Sequence, residues 1–119
     1  MILDLCLFAL ALLPQSSSDN EFAWGDFNAD GLLDLVVAID GVPKLFQNSG
    51  DGAFEERSKE LGLDSIEDAH FGLWKDLDGD GYPELLIGRS HGVTLFQNER
   101  GRALTDVTQT CGLGALEDE

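Results

Sequence analysis

Asp76-Leu77-Asp78-Gly79-Asp80-Gly81-Tyr82-Pro83-Glu84 has a twin fifty positions earlier, Asp26-Phe27-Asn28-Ala29-Asp30-Gly31-Leu32-Leu33-Asp34. Both read D-x-[DN]-x-D-G-x-x-[DE]. Side-chain oxygens at positions 1, 3, 5 and 9 of a tight loop are what a hard cation such as calcium requires. The candidate ligands are Asp26, Asn28, Asp30 and Asp34 in the first loop, and Asp76, Asp78, Asp80 and Glu84 in the second. Position 7, Leu32 or Tyr82, adds a backbone carbonyl, and water completes a shell of about six or seven oxygens. Gly31 and Gly81 at position 6 permit the sharp turn, with a positive φ expected at each.

The EF-hand loop opens in the same way, but it needs a bidentate carboxylate at position 12. Here position 12 is Val37 or Ile87. EF-hand loops also lie between amphipathic helices, whereas these run into Leu35-Val36-Val37-Ala38-Ile39 and Leu85-Leu86-Ile87-Gly88, short apolar runs of β-like length and branching. The last carboxylate has moved to position 9, so the loop closes early and the chain leaves it extended. Acidic Asp-Gly clusters also make plain solvated turns. Two copies in register favour the cation-binding hairpin.

The 119 residues carry a formal net charge of −16 and are 43% hydrophobic, enough for a core and for one small domain or part of a larger one. Of the 23 acids, Asp26, Asp30, Asp34, Asp76, Asp78, Asp80 and Glu84 sit in the loops, where two dications would offset part of the charge. No basic stripe exists to neutralise phosphates, so nucleic acid is not an expected partner. Two cysteines, Cys6 and Cys111, imply no disulfide framework, and Cys111 reads as a small buried hydrophobe.

Ile2 to Leu13 is nearly all apolar and is followed by Pro14-Gln15-Ser16-Ser17-Ser18. A bilayer span needs about 20 apolar residues, so no membrane span is expected. The length suits the hydrophobic region of a secretory signal, with Ser16-x-Ser18 as a small-x-small cleavage pattern, although the flank before it lacks Lys and Arg and carries Asp4. Residues 1–18 are therefore expected to be a signal peptide, and the product secreted or extracytoplasmic. The competing reading is a buried strand.

The offset of fifty extends beyond the loops. Trp24 falls on Trp74, Leu45-Phe46-Gln47-Asn48 recurs as Leu95-Phe96-Gln97-Asn98, and Phe54 falls on Leu104. Repeats of this length made of short strands and Gly-rich turns are a propeller signature. Each unit, 19–69 and 70–119, reads as four strands. The first ends at the Trp and the second follows the cation loop. The third ends in Leu-Phe-Gln-Asn, and the fourth surrounds Phe54 or Leu104. Asn48-Ser49-Gly50-Asp51-Gly52 is a hairpin turn. Glu55 to Gly62 has helix formers and a glycine stop, but its counterpart Thr105 to Thr110 is β-prone, so a short helical turn is the most expected there.

Trp24-Gly25-Asp26-Phe27-Asn28-Ala29-Asp30-Gly31, with Asp34-Leu35, Leu45-Phe46-Gln47-Asn48 and Gly52-Ala53-Phe54, resembles the FG-GAP/VCBS repeat. Phe71-Gly72 resembles that motif's opening, while the first copy has Phe22-Ala23. The resemblance covers nearly everything after Asn20. It implies β-propeller blades, as in the head of integrin α subunits and many secreted bacterial proteins, with calcium between blade strands. The implied ligands are Asp26, Asn28, Asp30, the Leu32 carbonyl and Asp34, then Asp76, Asp78, Asp80, the Tyr82 carbonyl and Glu84. Family propellers have several blades and this chain supplies two. The expected fold is therefore all-β, two four-stranded antiparallel blades of an incomplete propeller or of one completed by oligomerisation. A homo-oligomer through two open blade faces follows from the apolar surface left exposed.

His70 and His91 have no partner at catalytic spacing, and no Ser-His-Asp, Cys-His or zinc pattern is present. Paired carboxylates exist only inside the cation loops. Trp24 and Trp74 read as blade core rather than a sugar platform. No enzyme activity is expected. Two functions remain: a non-catalytic calcium-binding module for extracellular interaction with protein or glycan, or part of a secreted carbohydrate-active enzyme or lectin whose site lies on other blades.

Overall fold

The computed structural model describes residues 22–109, with the exception of 91. The expected leader, His91, and both cysteines lie outside the described residues. Strands β1 (Phe22–Gly25), β2 (Asp34–Ile39), β3 (Val42–Asn48) and β4 (Phe54–Glu56) form one four-stranded sheet. Strands β5 (Ala69–Lys75), β6 (Glu84–Arg89), β7 (Gly92–Asn98) and β8 (Leu104–Asp106) form another. All neighbouring strands are antiparallel and follow sequence order. The fold is thus all-β, with two open sheets that do not close into a ring.

Register repeats with the sequence. The row Trp24–Leu35–Phe46–Glu56 crosses the first sheet, and Trp74–Leu85–Phe96–Asp106 crosses the second. Asp40-Gly41 joins β2 to β3 with φ of 54° and 80°, the two positive values of a type I′ hairpin, which matches the right-handed twist of the strands. Beyond β4 the chain is pinned to β3: Arg57 N donates to Leu45 O at 2.9 Å, and Ser58 Oγ accepts from Leu45 N at 2.9 Å. Val107 N and Thr108 Oγ1 make the same two bonds with Leu95, at 2.9 and 2.8 Å. These bonds hold the segment extended through Ser58. No helix spans Glu55 to Gly62; one α-type bond, Leu61 N to Arg57 O, is followed by a 3-10 turn at Leu63–Ser65.

The sheets stack with like orientation. The first sheet presents Val36 and Leu45, with Phe27 and the linker residues Leu61, Leu63 and Ile66, to the Trp74, Leu85, Ile87, Phe96 and Leu104 face of the second. Gly25 makes the closest fit. A Cβ there would lie 2.4 Å from Trp74 Cγ, so the indole occupies space that only glycine leaves. Gly25→Ala is expected to force the ring or the strand aside and cost about 1–3 kcal/mol as overpacking. A urea midpoint equal to that of the parent would contradict this fit. Phe71 lies over Gly88 of the paired strand in a similar way, where a Cβ would come within 1.8 Å of the ring.

The two tryptophans part company here. Trp74 packs against the core, 6.0 Å from the Phe27 ring. Trp24, expected in the core, is 51% exposed and touches Phe54 edge-on at 6.3 Å. Among the described residues no sheet covers the Trp24 face of the first sheet, which also carries exposed Ile39. On the second sheet the face opposite Trp74 is buried at Leu86, Val93, Leu95 and Val107. Of the two faces expected to be open, one is.

Candidate metal centre

Each acidic loop links the first two strands of its sheet, so the β-ladder fixes both of its ends. Gly31 and Gly81 have φ of 86° and 88°, the positive values expected of position 6. Backbone amides then arrange the carboxylates. Asp26 Oδ1 and Oδ2 accept from Asp30 N at 3.1 Å and Gly31 N at 2.8 Å, while Asp76 accepts from Gly79 N and Gly81 N, both at 2.9 Å. Asp30 Oδ1 accepts from Leu32 N and Asp80 Oδ1 from Tyr82 N, each at 3.0 Å, which ties position 7 to position 5. Asp78 Oδ1 accepts from Asp80 N at 3.4 Å.

Position 9 differs from the rest. Asp34 and Glu84 are 0% and 1% exposed, whereas Asp76, Asp78 and Asp80 stand in solvent. Asp34 accepts from Phe27 N and Asn48 N, both at 2.8 Å. Glu84 accepts from Leu77 N at 2.9 Å and Asn98 N at 3.3 Å. The carboxylate thus joins the start of its loop to the end of its third strand. Asn48 and Asn98, the last residues of the repeated Leu-Phe-Gln-Asn, supply those distant amides. Their place in the repeat was visible, but this use of them was not.

In the second loop one oxygen from each of Asp76, Asp78, Asp80 and Glu84 lies within 4.8 Å of the others. Oxygens sharing a calcium at roughly 2.4 Å can stand at most about 4.8 Å apart, so the donor set has the chemistry and spread of a calcium shell. In the first loop backbone amides likewise hold Asp26, Asp30 and Asp34, but no such cluster of three acidic oxygens forms. The loop's third donor is an amide. The Asn28 amide nitrogen donates to the Asp30 carboxylate at 3.0 and 3.3 Å, and its oxygen accepts from Gln47 Nε2 at 3.1 Å.

The electrostatics agree. Burial pushes the Glu84 carboxyl up to about 7, assisted by the charges of Asp78 and Asp80 and opposed by the Leu77 and Asn98 amides. Burial also raises Asp34, against the Asn48 and Phe27 amides and with help from Asp30 and Asp26. Asp78, though exposed, is raised by partial loss of hydration among its neighbours and by its contacts with Asp80 and Asp76. Each loop therefore holds mutually repelling acids whose ionised form a cation would favour.

Away from the loops, exposed His70 Nε2 is 2.9 Å from Ser90 Oγ. Among the described residues no helix is long and apolar enough to cross a membrane.

Residues 26–73 match the family model of the FG-GAP-like repeat. The match opens at position 1 of the first loop and closes inside β5, so the matched residues take in β2, β3, β4 and part of β5. No curated protein matches the chain. The second unit lies almost wholly beyond the matched residues, and its kinship to the first rests on the shared loop, register and Leu-Phe-Gln-Asn run. Over residues 26–73 the chain is similar to the FG-GAP-like repeat.

Proposed function

We propose that this repeat protein is a non-catalytic, calcium-binding β-propeller-type module acting in extracellular interaction, with a protein or glycan as partner. The observation that carries the calcium part is the gathering of Asp76, Asp78, Asp80 and Glu84 oxygens within 4.8 Å on a backbone that holds each in place. The metal is structural, because it offsets the repulsion among acids that burial and neighbouring charge already disfavour. Secretion fits this reading, since free calcium outside the cell is millimolar and suits extracellular sites of modest affinity. The exposed Trp24, Ile39 and Phe54 offer an apolar contact for a partner protein or a second copy of the chain.

At about 2 mM calcium and a dissociation constant of 10⁻⁴–10⁻³ M, each site stabilises the fold by roughly 0.6–1.8 kcal/mol. The melting midpoint is expected to rise with calcium and fall with chelator, while magnesium at the same concentration has a smaller effect because it demands tighter octahedral geometry. Identical midpoints in calcium and chelator would sink the metal reading.

A further inference from the structure

Asn98 is 2% exposed, yet its side chain bonds to both units. Its backbone N–H donates to Glu84 Oε2 at 3.3 Å, at the closing carboxylate of the second loop. Its Nδ2 donates to Phe27 O at 2.8 Å, inside the first loop, and to Pro83 O at 2.9 Å. Phe27 N in turn donates to Asp34 Oδ2 at 2.8 Å, the closing carboxylate of the first loop. One chain of hydrogen bonds therefore runs from Glu84 through Asn98 and Phe27 to Asp34. The contact is reinforced sterically. Asn98 Oδ1 accepts from Gly101 N at 2.8 Å, and the turn so held lies on the first loop, where a Cβ on Gly101 would come 2.7 Å from both Asn28 Cα and Cβ.

Asn48, its equivalent in the first sheet, does the local part only. Its N–H donates to Asp34 and its Nδ2 to Leu33 O at 3.1 Å, both within its own sheet. The bond to the neighbouring unit is what Asn98 adds.

The geometry points to Asn98 as a positioning residue that couples the two cation loops, so that calcium at one raises the affinity of the other. This rests on the calcium reading above. A cation that draws in the Glu84 carboxylate fixes the Asn98 backbone, which fixes its amide against Phe27 O and thereby the peptide whose N–H braces Asp34. The ordering cost of the second loop to fill is then partly met by the first. Such coupling is reciprocal and commonly amounts to about fivefold or more.

The test is calorimetric titration of the protein with calcium. Loop-one affinity is measured with loop two intact and with it disabled by Asp80→Ala, and loop-two affinity with and without Asp30→Ala. The expected result is a loss of about fivefold in each direction, by the same factor. In Asn98→Ala both factors fall to about one, whereas Asn48→Ala weakens loop one and leaves the factors standing. Because Asn98→Ala removes buried bonds and can unfold the protein, amide exchange gives a second reading without it. In Asp30→Ala, calcium at loop two is expected to slow exchange at Phe27 N–H severalfold. Two sites filling independently, or a factor that survives Asn98→Ala, overturns the coupling and leaves the calcium reading intact. No binding at either loop overturns both.

Discussion

Stripped of calcium, the protein is expected to lose stability as pH rises from about 4.5 to 7, and calcium is expected to restore it only in the upper part of that range. The group responsible is Glu84, nearly without solvent contact and with its carboxyl pushed up to about 7 from an ordinary value of 4.5. The unfolded chain gives up this proton near pH 4.5, while the folded chain keeps it until about 7. Between those values the folded state binds more protons, so stability falls with rising pH, by about 3 kcal/mol in all. The raised Asp34 and Asp78 act in the same direction. Below pH 4.5 both states hold the Glu84 proton and its contribution is fully present. Above 7 the buried carboxylate needs a cation. Denaturant unfolding in chelator at pH 5 and pH 8 measures the loss, and calcium at each pH measures its recovery. Glu84→Gln isolates the cause: it sacrifices one of the two amide contacts, costs about 1 kcal/mol at any pH, and flattens much of the dependence. Equal stability at pH 5 and pH 8 in the chelated wild type would refute the assignment of a buried, proton-holding Glu84.

Much of this site was legible because its chemistry is local. Four oxygen donors, a glycine at position 6 and an apolar run behind them are fixed by nine consecutive residues, and the φ of Gly31 and Gly81 follow from the turn they make. The strand order was legible for a related reason: short strands separated by tight turns can pair only with their neighbours. What the sequence does not show are contacts made across long separations. The repeat already argued against a helix over Glu55 to Gly62; the physical reason, the bonds of Arg57 and Ser58 to Leu45, appears only in the structure. The alignment of Ser58 with Thr108, two hydroxyls at one position of the repeat, was the available signal for that pinning. Nothing local distinguishes Asn98 from Asn48, because the difference between them is the Phe27 carbonyl of the other unit. The open Trp24 face was anticipated from the number of units, whereas the exposure of Trp24 itself was not.

Trp24 and Trp74 occupy one position of the repeat, and their replacement by alanine is expected to have very different effects. Trp74 fills the space above Gly25 and packs on Phe27, between two sheets. Removing it leaves a void bounded by backbone and by a core that cannot collapse without moving a sheet, at a cost of about 3 kcal/mol. That is a large part of the stability of a small domain. Trp24 lies on a face that no sheet covers among the described residues and touches Phe54 by an edge, so its removal is expected to cost less than about 1 kcal/mol. Urea unfolding of both variants at low protein concentration gives the comparison. Equal losses would mean that the Trp24 face is covered in solution. A wild-type midpoint that rises with protein concentration would then identify the cover as a second copy. A concentration-independent midpoint would place it within the chain. The difference between the two tryptophans therefore reports directly on whether the first sheet stands open, independently of any metal at the loops.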